Sequence, residues 1–170
     1  MTPALFLDRD GTLIVDVGYP RDPDAVALLP GVAAALAALP ATVALVIITN
    51  QSGLARGLVT PAEAAAVQAR VEAAFAAVGV RFAGVYVCPH GPDDGCRCRK
   101  PAPGLLLDAA RELGLDLGRS LMIGDKAADV AAGHAAGCAA LRFAAVPTAG
   151  ADVVGWADAG ARIAAHFGLE

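Results

Sequence analysis

The chain has 170 residues, of which 56% are apolar, 18% charged and 5% aromatic, with a formal net charge of −4. That length suits one domain, residues 1–170, with a core built mostly from Ala, Val and Leu, which excludes a disordered chain. The acidic balance argues against broad nucleic-acid binding through phosphate neutralisation. Mean hydropathy is high at +0.57, yet no run of about 18 apolar residues is free of charge, Pro or Gly, so no membrane span is expected. Asp8, Arg9 and Asp10 interrupt the N-terminal stretch before a hydrophobic region develops. It does not read as a signal peptide, and a cytoplasmic location is expected.

In chain order, Ala4–Leu7 is a short apolar run that ends abruptly in Asp8-Arg9-Asp10-Gly11-Thr12 and predicts a strand. Gly31 to Leu39 is Ala/Leu-rich, predicts a helix, and is stopped by Pro40. Val43 to Ile48 is β-branched and reads as a strand buried on both faces, ending in Thr49 and Asn50. Thr60-Pro61-Ala62-Glu63 is a helix start, with Thr as N-cap, Pro at the first helical position and Glu closing a capping box. That helix is expected to run to about Val78 and stop at Gly79. Gly84–Cys88 is a third strand. The segment from Cys88 to Pro103 is dense in Cys, Pro, Gly and charge, and needs something other than a core to hold it. Pro103 to Leu113 reads as a helix closed by Gly114, Leu121–Gly124 as a fourth strand ending in Asp125, and Lys126 to Ala136 as a helix ending at Gly137. Ala139 to Phe143 is a weaker fifth strand, Asp152 to Val154 a very short sixth, and Asp158 to Phe167 a closing helix. Alternating strands and helices predict an α/β fold around a parallel sheet.

Three of the four best strands end in chemistry: Asp8 and Asp10, then Thr49 and Asn50, then Asp125. In an open parallel sheet ligands sit at the carboxyl ends of the strands, so these residues converge on one site. Asp8, Asp10 and Asp125 offer oxygen ligands suited to a hard cation such as Mg²⁺. A carboxylate is also a competent nucleophile towards phosphorus, and a second carboxyl beside it differs in proton affinity. Thr49 and Asn50 can donate hydrogen bonds to phosphoryl oxygens, Lys100 can neutralise developing charge, and the loop at Gly11 offers backbone N–H groups.

The run Phe6-Leu7-Asp8-Arg9-Asp10-Gly11-Thr12-Leu13 resembles the first motif of the haloacid dehalogenase superfamily of phosphatases. Thr49 resembles its second motif, Lys100 its third, and Gly124-Asp125-Lys126 with Asp129 its fourth, in the family's order. The resemblance implies a Rossmann-like three-layer sandwich with a central parallel sheet and a minimal cap. It also implies roles. Asp8 attacks phosphorus to form an aspartyl-phosphate. Asp10 protonates the leaving oxygen and then deprotonates water, and Thr49 and Lys100 hold the transferring group. Asp8, the backbone carbonyl of Asp10 and Asp125 bind Mg²⁺, and Asp129 supports them through hydrogen bonds.

Cys88, His90, Cys96 and Cys98 form the ligand set of a tetrahedral Cys₃His zinc site within one short loop, about 88–103. A redox pair or incidental thiols are the alternatives. With four protein ligands such a zinc has no open position for water, so its expected role is structural: it fixes the loop that carries Arg99 and Lys100. Cys138 reads as a small core residue, and His134 and His166 as surface or packing residues.

The zinc loop resembles that of the small, nearly capless branch containing heptose bisphosphate and histidinol-phosphate phosphatases. Asp16-Val17-Gly18-Tyr19, the stretch from Thr49 to Gly57, and Cys98 to Gly104 resemble the heptose group. The resemblance implies hydrolysis of the 7-phosphate of a heptose bisphosphate. It implies substrate contacts from Asp16, Gly18, Tyr19, Asn50, Gln51, Ser52, Arg56, Arg99 and Lys126, with the two arginines suited to forked bonds with a second phosphate or sugar hydroxyls. The five residues between His90 and Cys96 instead match the shorter loop of the histidinol group, so a histidinol-phosphate or other small sugar-phosphate phosphatase stays open. A nucleic-acid 3′-end phosphatase is disfavoured by the missing basic face. A zinc-stabilised binding module that has lost catalysis is disfavoured by the intact Asp8, Asp10, Thr49, Lys100 and Asp125. The expected partner is a small phosphorylated sugar, with no nucleic acid and no membrane, and a monomer is expected.

Overall fold

The computed structural model describes residues 1–169. Its strands are β1 (Ala4–Leu7), β2 (Ala44–Asn50), β3 (Gly84–Cys88), β4 (Leu121–Gly124), β5 (Ala139–Ala144) and β6 (Val153–Val154). They form one sheet in the order β3-β2-β1-β4-β5-β6, with every pairing parallel. Its α-helices are α1 (Val32–Ala37), α2 (Pro61–Ala76), α3 (Gly104–Leu113), α4 (Ala127–Ala136) and α5 (Gly155–Phe167).

All four residues of β1 are fully buried, as a central strand covered on both faces requires. Their side chains alternate between two cores. Leu5 and Leu7 pack with Val32 and Leu36 of α1, Val71 and Phe75 of α2, and Trp156 and Ile163 of α5. Ala4 and Phe6 pack with Leu105, Leu106 and Ala109 of α3 and with Ala132 and Ala136 of α4. Helices thus cover both faces of the sheet, giving the three-layer α/β sandwich expected. Burying one Leu or Phe in such a core contributes about 1.5–3 kcal/mol.

The local signals act as anticipated at several ends. The Thr60 hydroxyl accepts from the Glu63 amide and the Glu63 carboxylate accepts from the Thr60 amide, closing the capping box at Pro61. Gly114 and Gly137 end α3 and α4 in left-handed conformations. Several boundaries shift from the sequence reading, among them the end of α1, the end of β2 and the start of α5. Helix α1 stops at Ala37, short of Leu39. Strand β2 continues through Thr49 and Asn50, because Val87 and Cys88 of β3 extend the ladder beside them. Helix α5 begins at Gly155 rather than Asp158: the Asp158 carboxylate accepts from the Val154 amide, and buried Trp156 donates its indole N–H to the Thr12 carbonyl at 2.8 Å.

The chain passes from β1 to β2 on one side, while β4 joins β1 on the other. That reversal of strand order opens a crevice at the carboxyl ends of the three strands.

Candidate active site

Asp8 follows β1 directly, and its amide donates to the Ile123 carbonyl of β4 at 3.0 Å. The loop then turns at Gly11, whose φ is +83°. A Cβ there would lie 2.5 Å from Asp125 Oδ2. Only glycine lets the loop take this conformation and come so close to that carboxylate.

Lys100 is buried and donates from Nζ to three oxygens: Asp8 Oδ1 at 2.7 Å, Asp129 Oδ1 at 2.6 Å and the Ile48 carbonyl at 2.7 Å. Burial opposes its charge, but Asp8 and Asp129 hold its pKa above the usual lysine range. The other Asp129 oxygen accepts from the Lys126 amide at 2.9 Å. A Cβ on Gly124 would collide with the Asp129 carboxyl, so the end of β4 must be glycine for this carboxylate to sit where it does. Lys100 is aligned from behind by Asn50, whose amide group donates to the Lys100 carbonyl at 3.2 Å and accepts from its N–H at 3.1 Å.

Asp8, Asp125 and Asp129 place carboxylate oxygens within 4.8 Å of one another. Burial pushes the Asp8 carboxyl up to about 7, and the nearby Asp129 and Asp125 add to this against the opposing pull of Lys100. Burial and then Asp129 raise Asp125 as well. Asp125 Oδ1 is buried without a hydrogen-bond partner. Three crowded carboxylates facing one ammonium, with one buried oxygen unpartnered, make an oxygen-rich pocket that fits a hard divalent cation. Both Asp129 oxygens are already met by protein donors, so Asp8 and Asp125 are the side chains open to such an ion.

Asp10 takes three hydrogen bonds: two from Arg9, Nε to Oδ1 at 3.2 Å and Nη2 to Oδ2 at 3.0 Å, and one from Gln51 Nε2 to Oδ2 at 2.7 Å. The Gln51 amide also donates to Thr49 Oγ1 at 2.8 Å, which leaves the Thr49 hydroxyl proton free to donate elsewhere. The part played by Arg9 carries no sequence signal, since it stands at the variable position of the first motif.

A cavity of about 330 Å³ opens over this centre. It is lined by Asp8, Asp10, Lys100 and Asp129, and by Asp16, Gly18, Tyr19, Asn50, Gln51, Ser52, Arg99 and Lys126. Thr49 is buried beneath it and Asp125 lies behind Gly11, so neither forms its wall. Arg56 is exposed and off the wall; its Nη1 donates to the Tyr19 hydroxyl at 3.0 Å. Gln51 and Asn50, expected as substrate contacts, have their amides turned chiefly to Asp10, Thr49 and the Lys100 backbone.

Beside the cavity, Cys88, His90, Cys96 and Cys98 bring their ligand atoms within 4.8 Å of each other. Cys88 Sγ lies 3.7 Å from Cys96 Sγ, 3.1 Å from Cys98 Sγ and 3.7 Å from His90 Nδ1, and His90 Nδ1 lies 3.2 Å from Cys98 Sγ. Zn–S bonds of about 2.3 Å give tetrahedral edges of roughly 3.8 Å, so the four atoms are already gathered near the size of a zinc shell. Arg99 Nη1 donates to the His90 carbonyl at 3.2 Å, tying the cluster to the cavity wall. Cys138 is buried, and His134 and His166 are exposed. Among the described residues, no helix is long and apolar enough to cross a membrane.

A family model described as HAD-hydrolase-like matches residues 97–167. The D-glycero-beta-D-manno-heptose-1,7-bisphosphate 7-phosphatase of Photorhabdus laumondii is 44% identical over 138 residues, covering 76% of this chain and 73% of that protein. The protein of the same name from Escherichia coli is 42% identical over 142 residues, covering 79% and 74%. The crystal structure of D,D-heptose 1,7-bisphosphate phosphatase from Bordetella bronchiseptica, complexed with magnesium and phosphate, superposes with a TM-score of 0.84 at 35% identity, over 95% of this chain and 97% of that one. The fold and the site thus define a haloacid dehalogenase-like hydrolase. Within that class, the chain belongs to the family of these heptose bisphosphate phosphatases.

Proposed function

We propose that the chain is a Mg²⁺-dependent phosphoric monoester hydrolase that removes the 7-phosphate of D-glycero-D-manno-heptose 1,7-bisphosphate. The observation that carries this reading is Asp8. It is a buried carboxylate at the cavity floor, paired with Lys100 and crowded by Asp125, in a chain whose relatives bear that activity in their names.

Asp8 attacks phosphorus through a carboxylate oxygen, the bond from phosphorus to the sugar oxygen breaks, and that oxygen takes a proton from Asp10. Water then gives a proton to Asp10 and attacks the aspartyl-phosphate, and the bond between Asp8 and phosphorus breaks to release phosphate. Once an Asp8 oxygen is esterified its charge is lost, so the Lys100 arm that paired with Asp8 turns to the phosphoryl oxygens. The Thr49 hydroxyl donates to the same group. Asp8, Asp125 and the Asp10 carbonyl would hold Mg²⁺, which neutralises charge on the phosphoryl oxygens. Arg99 and Lys126 on the cavity wall suit the second phosphate, and Asp16, Gly18, Tyr19 and Ser52 suit the sugar. Arg56 acts through the hydroxyl of Tyr19. Cys88, His90, Cys96 and Cys98 hold a structural zinc. A monomer in the cytoplasm is the setting this reading takes, since thiolate ligands for zinc persist where the surroundings keep thiols reduced.

A histidinol-phosphate phosphatase is the second reading, favoured by the five-residue spacing between His90 and Cys96. A panel of phosphate esters scored by kcat/KM decides between them. The heptose bisphosphate is expected to exceed histidinol phosphate by about 10²-fold or more, since even a mismatch of one small group in a binding pocket costs roughly 10- to 200-fold. The reverse order sinks the heptose assignment.

A further inference from the structure

Arg9 lies between two catalytic aspartates, yet it does not line the cavity, and its side chain is only 3% exposed. A buried guanidinium is tolerated where its N–H groups are met. Here they are met in a directed way. Nε and Nη2 grip the two oxygens of Asp10 at 3.2 and 3.0 Å, and Nη1 donates to Gln68 Oε1 of α2 at 3.2 Å. Gln68 is steadied in turn by Glu72, one helical turn on, to which its amide donates at 3.2 Å.

The geometry distinguishes Arg9 from the other partner of Asp10. Gln51 holds only Oδ2, about which the carboxyl could still swing. The Arg9 fork holds both oxygens and so fixes the plane of the group, as a bidentate guanidinium–carboxylate pair does. We infer that Arg9 is a positioning residue: braced by Gln68 of α2, it sets the plane in which Asp10 presents its oxygen to the leaving group. This inference rests on the phosphatase reading for its consequence but not for its geometry. Arg9 touches no substrate; it acts through Asp10, so its loss weakens proton transfer and not binding.

Two arms test it. In the kinetic arm, Arg9→Lys keeps the charge but cannot form the planar fork. Single-turnover formation of the phosphoenzyme from a sugar phosphate is expected to slow about 10- to 10²-fold, the cost of misplacing a group by about 1 Å. KM should stay within about twofold. With p-nitrophenyl phosphate, whose leaving group needs no proton, the same step should slow by less than about threefold. Gln68→Leu, which removes the brace and leaves the fork, should give a smaller loss of the same selectivity. Equal losses on both esters would reduce Arg9 to a structural role, and no loss on the sugar phosphate would also overturn the inference. In the structural arm, a crystal structure of Arg9→Lys should show the Asp10 carboxyl turned out of its present plane; an unmoved carboxyl overturns the inference. Should wild-type protein with Mg²⁺ turn over neither ester, the phosphatase reading fails, and the structural arm still decides the positioning.

Discussion

Asp8 and Asp10 stand two positions apart, yet their surroundings differ in the way the proposed division of work between them requires. Asp8 is buried against Lys100 and two further carboxylates, whereas Asp10 is held by Arg9 and Gln51 on the cavity wall. Asp8→Asn should therefore abolish release of phosphate from both aryl and sugar phosphates, because an amide neither attacks phosphorus nor offers Lys100 a charged partner. Circular dichroism should report an intact fold, and turnover at the wild-type rate in a clean preparation would remove Asp8 as nucleophile. Asp10→Asn should lose a factor of about 10²–10⁴ on a sugar phosphate while keeping Mg²⁺ affinity, since the proposed ligand is its backbone carbonyl. The first step should suffer less with an aryl phosphate, and pre-steady-state release of the leaving group separates the two cases. The positions of these aspartates are legible in the sequence because strand ends are marked by abrupt changes from apolar to acidic residues. The work of Arg9, Asn50 and Gln51 is not. Their partners lie across the fold, as with Asn50 and the Lys100 backbone fifty positions away, and no local pattern encodes such a pair.

At the scale of elements, the segment from Cys88 to Gly104 connects β3 to α3 and delivers Lys100 to the site. It is anchored at Cys88, the last residue of β3, at Asn50, and at Gly104, whose amide donates to the Arg97 carbonyl at 3.0 Å. A Cβ at Gly104 would run into that carbonyl, so the turn into α3 depends on glycine. Between the anchors the loop has little apolar surface of its own, and metal coordination would supply the free energy that orders it. Protein purified without chelator is expected to hold about one Zn²⁺ per chain, and Cys96→Ser to lose it. The variant should lose activity by up to about 10²-fold as Lys100 moves, and excess Mg²⁺ should not restore it, because a hard cation does not suit thiolates. Metal analysis with kinetics checks this; a zinc-free variant with full sugar-phosphate turnover shows that Asn50 and Gly104 suffice to place Lys100. The loop's chemistry is plain in the sequence, as are β1, β3 and β4. The extra rungs of β2 and the early start of α5 are not, because β3 and the Thr12 carbonyl, contacts distant in sequence, set them.

The whole molecule concentrates its strain of charge at one place, the crevice where the order of strands reverses. The convergence of residues 8, 49 and 125 is legible from strand order in an α/β chain, and that of Lys100 from the family resemblance, but the degree of crowding is a property of the packed fold alone. That crowding couples global stability to pH. Without a cation, burial pushes the Asp8 carboxyl up to about 7 from 3.8 for the unperturbed group, and Asp125 is also raised. A raised carboxyl means that the folded state binds protons the unfolded state has released. The stabilisation it gives is full below about 4 and fades as pH rises through 7. Glu63 and Asp108, both lowered, titrate below this window and raised Lys100 titrates above it, whereas the Cys96 thiol, which burial raises but the N–H groups and thiols around it hold down to about 6, runs against the slope between pH 6 and 8. On the proposed ligand set, Mg²⁺ would compete with those protons for the same oxygens and bind only the folded state, so its stabilisation would grow as they leave. The rise in Tm produced by a fixed excess of Mg²⁺ should therefore be larger at pH 8 than at pH 6. Comparing the rise at each pH, rather than Tm itself, cancels any pH dependence of the cysteine cluster. The measurement is thermal unfolding with and without Mg²⁺ at both pH values. A Mg²⁺ effect that is equal at the two, or greater at pH 6, would show that Asp8 and Asp125 do not share their oxygens between protons and the cation.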